Sequence, residues 1–411
     1  MSRRVSSRSS DLQGVARLAT DATTGLTDLV EAMHERIARL PGLEPAELPG
    51  RTRGVTGLVY KNVRGVMRVV GGSIAGLLGL LGRALGSDPD PSARPGAQRE
   101  ALVAALSGVL GDYLAATDNP LATPMALRRD GLPLVLESAA LAERLPDAGG
   151  RLLVLAHGLC MGDLQWLREG HDHGAALARD LGFTPVYLHY NSGLHVSLNG
   201  RELARQLERL IDQWPHALER LVLLGHSMGG LLARSALHYG AQEGHRWPAR
   251  LDDLVFLGTP HHGAPLERAG NWIDVVLGAT PYAAPFARLG KVRSAGITDL
   301  RYGNLVDEDW VGRDRFARSA DLRQHVPLPD TVRCFAAAAS LGTKGSLSAA
   351  RRLGDGLVQP DSALGRHRDP ARALHFAKVR QWVGHDMGHL DLLSRPEVYA
   401  RLLEWLGPPV D

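Results

Sequence analysis

The chain has 411 residues, which is enough for one large domain with an appendage or for two domains. Its 47 basic residues nearly balance its 44 acidic residues, so the net charge gives no support to nucleic-acid binding. A hydrophobic fraction of 44% with 22% charged residues excludes a fibrous or wholly disordered chain.

Two features of the sequence bear on the cellular compartment. The first residues, "MSRRVSSRSSDLQGVARL", are basic but lack the continuous apolar stretch of a secretory signal. The two cysteines, Cys160 and Cys334, lie in or beside apolar runs and fit neither a disulfide framework nor a metal site. We therefore expect a cytoplasmic protein.

The amino-terminal zone, residues 1–95, is mostly helical in pattern, and "DPDPSARPGAQR" at 88–99 indicates a linker. A helix over 54–86 would separate basic from apolar side chains: Lys61, Arg64, Arg68 and Arg83 against Val63, Val70, Ile74 and Leu81. Its uncharged part, 69–82, is shorter than the roughly 20 residues that cross a bilayer. Two interpretations stay open: the helix lies on the inner face of the membrane, or its glycines pack against another helix or the following domain.

The remaining zone, residues 96–411, alternates strand-like and helix-like segments. Five short apolar runs that end in turn residues predict strands at 151–158, 184–190, 220–227, 251–260 and 331–340. A helix is predicted over 197–214. This alternation favours an α/β fold with a mostly parallel central sheet flanked by helices. Ligands of such sheets bind at the carboxyl ends of the strands, so functional residues are expected there.

The interval 262–330 breaks the alternation and contains no clear strand. A structureless loop of this length is unusual in a compact domain, so short helices are expected in it. We interpret the interval as an inserted helical lid.

Ser227 is the strongest candidate for a catalytic residue. In "LVLLGHSMGGLLARSAL" (221–237) it lies between Gly225 and Gly229, where an apolar strand gives way to a helix. A sharp strand-to-helix turn exposes the serine hydroxyl and leaves no room for side chains two residues away. The amide of Met228 faces the same space, so one turn supplies a nucleophile and half of an oxyanion hole.

The second oxyanion donor is expected in "VLAHGLCMGDLQW" (154–166), where the amide of Leu159 follows a strand. His157 and Gly158 end that strand, and Cys160 lies nearby. His157 is interpreted as part of the loop that shapes the hole and not as a base. Trp166 is expected in the core, with the pocket wall as the alternative.

An acid and a base should follow the serine in that order. Asp355 lies between two glycines in "RRLGDGLVQPDSALG" (351–365), after the last predicted strand, and Asp361 is the second candidate. For the base, "WVGHDMGHLDLLSRPEVYARLLEWL" (382–406) offers His389, directly before a final amphipathic helix. His385 is expected to support it or to face the substrate.

These stretches resemble the α/β-hydrolase superfamily, in its lipase-like branch related to GPI inositol-deacylases and bacterial triacylglycerol lipases. Five matches in the family's order carry the resemblance: "AHGLCMGDLQW", "GHSMGGLLAR", "LGTPHHGAPLER", "GDGLVQPDSALG" and "GHLDLLSRPEVYARLLEWL". The resemblance covers about residues 130–408. The amino-terminal region departs from the family pattern, so the resemblance says little about it.

The resemblance implies a triad of Ser227, Asp355 and His389, an oxyanion hole of Leu159 and Met228, and ester hydrolysis through an acyl-enzyme without cofactor or metal. The stretch "GTPHHGAPL" (258–266) is similar to the segment that leads into the lid. Adjacent His261 and His262 lack nearby ligand partners, so a pocket wall is favoured over a metal site. The pocket residues expected are His157, Gly158, Cys160, His226, His262 and His385.

The leading hypothesis is therefore a serine carboxylic-ester hydrolase for lipid or other acyl esters, with no nucleic-acid partner. Membrane contact through 54–86 and packing of that segment against another helix or the following domain both stay open. Acyl transfer by the same triad is one alternative. A non-catalytic, membrane-associated scaffold with a hydrolase-like fold is the other.

Overall fold

The computed structural model describes residues 11, 13–18, 96–264, 294–314, 320–343 and 354–408. The zone 54–86, with its predicted amphipathic helix, lies outside the described residues. So does most of the predicted 1–95 extension. No helix in the described ranges combines the length and apolar character that a membrane span requires.

Eight strands form one sheet. They are β1 (Ala126–Arg129), β2 (Leu132–Pro133), β3 (Arg151–Ala156), β4 (Thr184–His189), β5 (Arg220–His226), β6 (Leu251–Leu257), β7 (Arg333–Ser340) and β8 (Gln381–His385). Their order in space is β2-β1-β4-β3-β5-β6-β7-β8. Strands β3 to β8 run parallel to one another, and β1 pairs antiparallel with β2 and β4. The predicted mostly parallel sheet is confirmed.

The helices from residue 96 onward in the described ranges are α1 (Ala97–Ala116), α2 (Ser138–Arg144), α3 (His173–Leu181), α4 (Val196–Asp212), α5 (Met228–Gln242), α6 (Ala295–Asp299), α7 (Pro360–Ala363) and α8 (Pro396–Leu406). Residues 13–18 are helical as well. Helix α1 starts at Ala97, so the linker predicted for 88–99 extends too far: its last three residues are already helical. Within the predicted lid, the described part contains α6 and a 3-10 turn at Asp307–Asp309. The lid itself stays a prediction.

Successive residues of the central strands face opposite sides of the sheet, and both sides are buried. Leu152 and Val154 of β3 belong to one apolar cluster, together with side chains of α1, α4 and α5. Leu153 and Leu155 belong to a second cluster with side chains of α3 and α8. This burial on both faces explains why the strands are continuous apolar runs, as parallel sheets require.

The parallel strands bring their carboxyl ends to one edge of the sheet. There β5 leads into Ser227, β3 leads into the loop 157–162, and β6 leads into Gly258. This edge is the place where the fold concentrates the residues singled out from the sequence.

Candidate active site

Ser227 occupies a strained turn between β5 and α5. Its φ of 54° and ψ of −123° lie in a region that residues other than glycine rarely adopt. A β-carbon on Gly225 would lie 2.5 Å from the Gly230 nitrogen, and one on Gly229 would collide with the carbonyl oxygen of Ala156. Both glycines are therefore required for strand, turn and helix to pack this closely.

Asp355 and His389 form a buried pair. The carboxylate Oδ2 of Asp355 lies 2.7 Å from Nδ1 of His389, and its Oδ1 accepts hydrogen bonds from the amides of Leu357 and Val358 at 2.9 and 2.7 Å. Because a carboxylate oxygen accepts, the proton of the His389 ring belongs on Nδ1. Nε2 then carries a free lone pair.

His389 lies next to the Ser227 turn. A β-carbon on Gly258, the residue after β6, would lie 3.0 Å from Cε1 of His389, and the Ser227 amide donates to the carbonyl of Leu257 at 2.8 Å. The Nε2 atom of His389 is buried and has no hydrogen-bond partner among the described residues. Nor does a hydrogen bond join it to the Ser227 hydroxyl in this part of the chain. Ser227, His389 and Asp355 are only 6%, 4% and 3% exposed.

The two amides expected to form the oxyanion hole, those of Leu159 and Met228, donate to no acceptor within the described ranges. The loop that contains Leu159 also lies close to the serine, since a β-carbon on Gly158 would be 3.1 Å from Cβ of Ser227. Leu159 and Met228 are themselves buried. The arrangement leaves two main-chain donors unused near the serine side chain.

Cys160 holds the loop after Leu159 in a second strained conformation, with φ of 59°. Its amide donates to the Ser192 hydroxyl at 3.1 Å. Its side chain lies against Gly108 of α1, where a β-carbon would overlap the sulfur atom. Burial raises the pKa of the Cys160 thiol to about 12, so this cysteine stays protonated and supports the loop by packing.

His157 is fully buried beneath the same loop. Its Nδ1 lies 2.8 Å from the carbonyl oxygen of Gly158, Tyr190 stacks on its ring at 4.3 Å, and the Tyr190 hydroxyl donates to its carbonyl at 2.8 Å. Burial lowers the pKa of His157 to about 3, which keeps the ring neutral. These contacts agree with a structural role.

His226, the residue before the serine, supports His389. Its Nε2 donates to the main-chain carbonyl of His389 at 3.2 Å, and the two rings lie 4.8 Å apart. Burial holds the pKa of His226 well below its usual range, so it stays neutral. Trp166 packs against His226 and is fully buried, as expected for a core residue.

Three candidate residues lie apart from this group. Asp361 has a side chain that is 75% exposed and pairs with Arg366, so the geometry favours Asp355 as the partner of His389. His262 contacts Arg323 and His367. His385 ends β8 beside Ser340, and no hydrogen bond links it to the triad residues in the described part of the chain.

A buried ion network beneath the loop was not predicted. One guanidinium nitrogen of Arg128, in β1, lies 2.9 Å from Glu100 of α1 and 3.2 Å from Asp163, and His189 lies 2.9 Å from the same Asp163 oxygen. Burial alone would raise the pKa of Asp163, but the hydrogen bond with His189 and the charge of Arg128 lower it. A charged residue within an apolar strand would have marked Arg128 in the sequence. Strand β1 is only four residues long, however, and is too short to be recognised as an apolar strand.

Residues 149–325 match the family model described as "PGAP1-like alpha/beta domain". The match begins just before β3 and ends before β7, so it includes Ser227, Leu159 and Met228 but neither Asp355 nor His389. Together with the sheet order, it confirms the resemblance to the α/β-hydrolase superfamily. No curated protein matches the sequence.

Several solved structures are similar to the chain. The lipase BlEst2 of Bacillus licheniformis in mature form has 20% identity and a TM-score of 0.39, over 62% of this chain and 91% of that one. Lipase B of Aspergillus fumigatus has 11% identity and a TM-score of 0.41, over 97% and 85%. The esterase Pf2001 of Pyrococcus furiosus has 13% identity and a TM-score of 0.36, over 63% and 81%. All three TM-scores are below 0.5, so these likenesses carry no information about the chemistry of this chain.

Proposed function

We propose that this chain, whose residues 149–325 match the PGAP1-like alpha/beta domain, is a serine carboxylic-ester hydrolase. One observation carries the proposal: His389 is bound to Asp355 through Nδ1, its buried Nε2 has no partner in the described ranges, and its ring lies beside Gly258, whose neighbour Leu257 accepts from the Ser227 amide. A neutral imidazole with one anchored and one free nitrogen is the general base that a serine nucleophile requires.

In the proposed mechanism, Nε2 of His389 takes the proton of Ser227 as the serine oxygen attacks the ester carbonyl carbon. The carbonyl oxygen becomes an oxyanion and accepts hydrogen bonds from the amides of Leu159 and Met228. When the carbon–oxygen bond to the alcohol breaks, the imidazolium returns the proton to the leaving alkoxide. Water then repeats the sequence on the acyl-serine and releases the carboxylic acid.

We propose that the substrate is a lipid ester or another acyl ester beneath a mobile lid. Burial of Ser227 supports this, because a bulky ester can reach the hydroxyl only after some covering part moves. The segment 262–330 is the proposed lid, and 54–86 is proposed to contact the inner membrane surface. Addition of anionic liposomes should raise turnover of a long-chain ester more than turnover of a short one if both proposals hold.

The test of the reaction itself uses Ser227→Ala, with Ser138→Ala at an exposed position as its control. We expect Ser227→Ala to abolish turnover of a short p-nitrophenyl ester and labelling by a fluorophosphonate, while its circular dichroism spectrum stays that of the wild type. Ser138→Ala should behave as the wild type. Full turnover by Ser227→Ala would refute the proposal.

Two further measurements distinguish ester hydrolysis from the two alternative functions. Acyl transfer uses the same residues, so product analysis with a competing alcohol decides between the free acid and a new ester. A non-catalytic scaffold would leave Ser227 unlabelled by the fluorophosphonate.

A further inference from the structure

A second cluster of polar side chains lies behind α5, apart from the proposed triad. It surrounds a small cavity between α5, the loop after β6 and the segment before β7. The residues that line it are mostly basic: Arg234, His261, His262, Arg323, His325 and Arg372. The proposed ester hydrolysis assigns no role to this cluster.

Arg234 is the centre of the cluster. It is 5% exposed; one terminal nitrogen lies 3.3 Å from Nδ1 of His261, and the other donates to the carbonyl of Val326. Its Nε–H is buried without an acceptor among the described residues, and no carboxylate pairs with it there. Burial, with the charge of Arg323, lowers its pKa to about 9. A buried guanidinium without a counter-charge is costly, so an anion is the group it lacks.

The neighbouring carboxylates are already engaged. Asp321 lies 2.9 Å from Arg323 and 3.2 Å from Arg372, so one carboxylate serves two guanidinium groups. Asp309 accepts hydrogen bonds from three main-chain amides, those of Leu305, Val306 and Gln324. Arg372 also lies 3.8 Å from Asp369, and none of these carboxylates forms an ion pair with Arg234 within the described part of the chain.

His261 supplies a second unused donor. An arginine nitrogen only donates, so Nδ1 of His261 must accept from Arg234, and the ring proton is then on Nε2. Nε2 is buried and has no partner in the described ranges. Since burial and the charge of Arg234 hold the pKa of His261 well below its usual range, the ring stays neutral in this tautomer. Two residues that line the cavity thus each have an N–H donor without an acceptor in the described ranges.

The size of the cavity restricts the ligand. The free space among the side chains is about 20 Å³, which admits one water-sized atom. Gln324 and His325, which also line it, are exposed, so the cavity opens to solvent. An oxyanion can place one oxygen inside and keep its other oxygens between Arg323, His325 and Arg372 at the mouth.

We propose that Arg234, Arg323 and Arg372 form a binding site for a phosphate-type oxyanion, in which His261 positions Arg234 and one oxygen is received by the Arg234 Nε–H. Three arginines around one group match the preference of guanidinium for phosphate oxygens. The site is independent of Ser227. A free phosphate ion and a phosphate monoester share this chemistry.

Isothermal titration of the full chain with inorganic phosphate, at constant ionic strength set with sodium gluconate, tests the site. We expect saturable one-to-one binding, with the same anion raising Tm. Methyl phosphate is the second probe: binding of both ions identifies a site that accepts esters, and binding of inorganic phosphate alone identifies a site for the free ion. Chloride binding with equal affinity would overturn the oxyanion assignment, and so would the absence of saturable phosphate binding.

Variants locate the binding. Arg234→Met should weaken phosphate binding at least about tenfold, because a charge-assisted donor is lost. Since that variant removes a buried side chain, Arg372→Gln at the half-buried mouth is a second variant that leaves the Asp321–Arg323 pair intact, and it should weaken binding several-fold. Arg179→Gln, on the exposed face of α3, is the control and should bind as the wild type. Unchanged affinity in Arg372→Gln and in folded Arg234→Met would refute the proposed location.

Discussion

Asp355 holds His389 by both its side chain and its main chain. The carboxylate Oδ2 accepts from Nδ1 at 2.7 Å, and the carbonyl oxygen of the same aspartate accepts from the His389 amide at 3.0 Å. The other carboxylate oxygen is fixed by the amides of Leu357 and Val358. Rotation of the carboxylate would break all three side-chain bonds, so the geometry of the pair is set before a substrate arrives.

Asp355→Asn tests whether this pair fixes the tautomer. The asparagine oxygen can still accept from the amides of Leu357 and Val358, but its NH₂ group then faces His389 and donates to Nδ1. The ring proton moves to Nε2, where no lone pair remains for the serine proton. We expect kcat to fall by roughly 10⁴-fold with the fold retained. Asp361→Asn, at an exposed position, is the matched control in an ester hydrolysis assay, and an equal loss in both variants would contradict the assignment.

The sequence predicts the central strands of this fold because strands that are buried on both faces consist of apolar residues. The runs at 151–158 and 220–227 appear as β3 and β5 with ends shifted by one or two residues, since a parallel strand buried on both faces is a continuous apolar run. The short strands β1 and β2, and the edge strand β8 with its half-buried pattern, lack this signal. The pairing of such strands depends on neighbours that are distant in the sequence.

The candidate site divides in the same way. Ser227 is recognisable because its glycines are a local steric requirement, and Asp355 and His389 because chain order restricts the choice. Two contacts join elements that are far apart in sequence: the Arg128 network, and the packing of Gly108 against Cys160. No local sequence pattern predicts them. The predicted roles of Leu159 and Met228 stay predictions that activity measurements must test.

Gly108→Ala tests whether α1 supports the loop that contains Leu159. Helix propensity alone would make this substitution stabilising by about 1 kcal/mol. The new β-carbon, however, would overlap Sγ of Cys160 and lie 2.8 Å from its nitrogen. We expect a net loss of about 1–3 kcal/mol in the free energy of unfolding and a lower kcat with little change in KM, because the loop must shift.

Urea unfolding and ester hydrolysis measure the two effects of Gly108→Ala. Gly149→Ala is the control, because a β-carbon there meets no atom within 4 Å. A stabilised Gly108→Ala variant with wild-type kcat would show that the helix does not restrain the loop.

Arg128→Met tests the buried ion network. The guanidinium is the group that Glu100 and Asp163 share, and their side chains are only 9% and 2% exposed. Its removal leaves Glu100 with Arg99 and Asp163 with His189, but no cation between the two carboxylates. Because these partners remain, we expect a loss of about 3 kcal/mol in the free energy of unfolding, the lower end of the cost of breaking a buried ion pair. Adding Glu100→Gln should recover part of this loss, whereas Arg179→Met on the exposed face of α3 should leave urea unfolding unchanged; no recovery in the double variant would argue against charge as the cause.

Acid should destabilise the folded chain through its buried histidines. Burial lowers the pKa of His157 to about 3 and that of His173 to about 4, from 6.5. Between pH 6.5 and about 4 the unfolded chain therefore binds more protons than the folded chain, so stability decreases as the pH falls through this window. Each of the two histidines should lower the free energy of unfolding by about 2 kcal/mol between pH 7.5 and pH 5.0.

His173→Gln separates the stability loss caused by His173 from the loss caused by His157. The Nε2 atom of His173 lies 3.0 Å from the carbonyl oxygen of Leu392, and the glutamine amide can donate to the same oxygen without titrating. Urea unfolding at pH 7.5 and pH 5.0 measures how much the free energy of unfolding decreases on acidification. This decrease should be smaller by about 2 kcal/mol in the variant than in the wild type, because the variant lacks the titrating ring and the carboxylates contribute equally to both proteins. If the two proteins lose the same stability, His173 is protonated in the folded chain or stays neutral in the unfolded one, and burial of its neutral ring does not make the fold sensitive to acid.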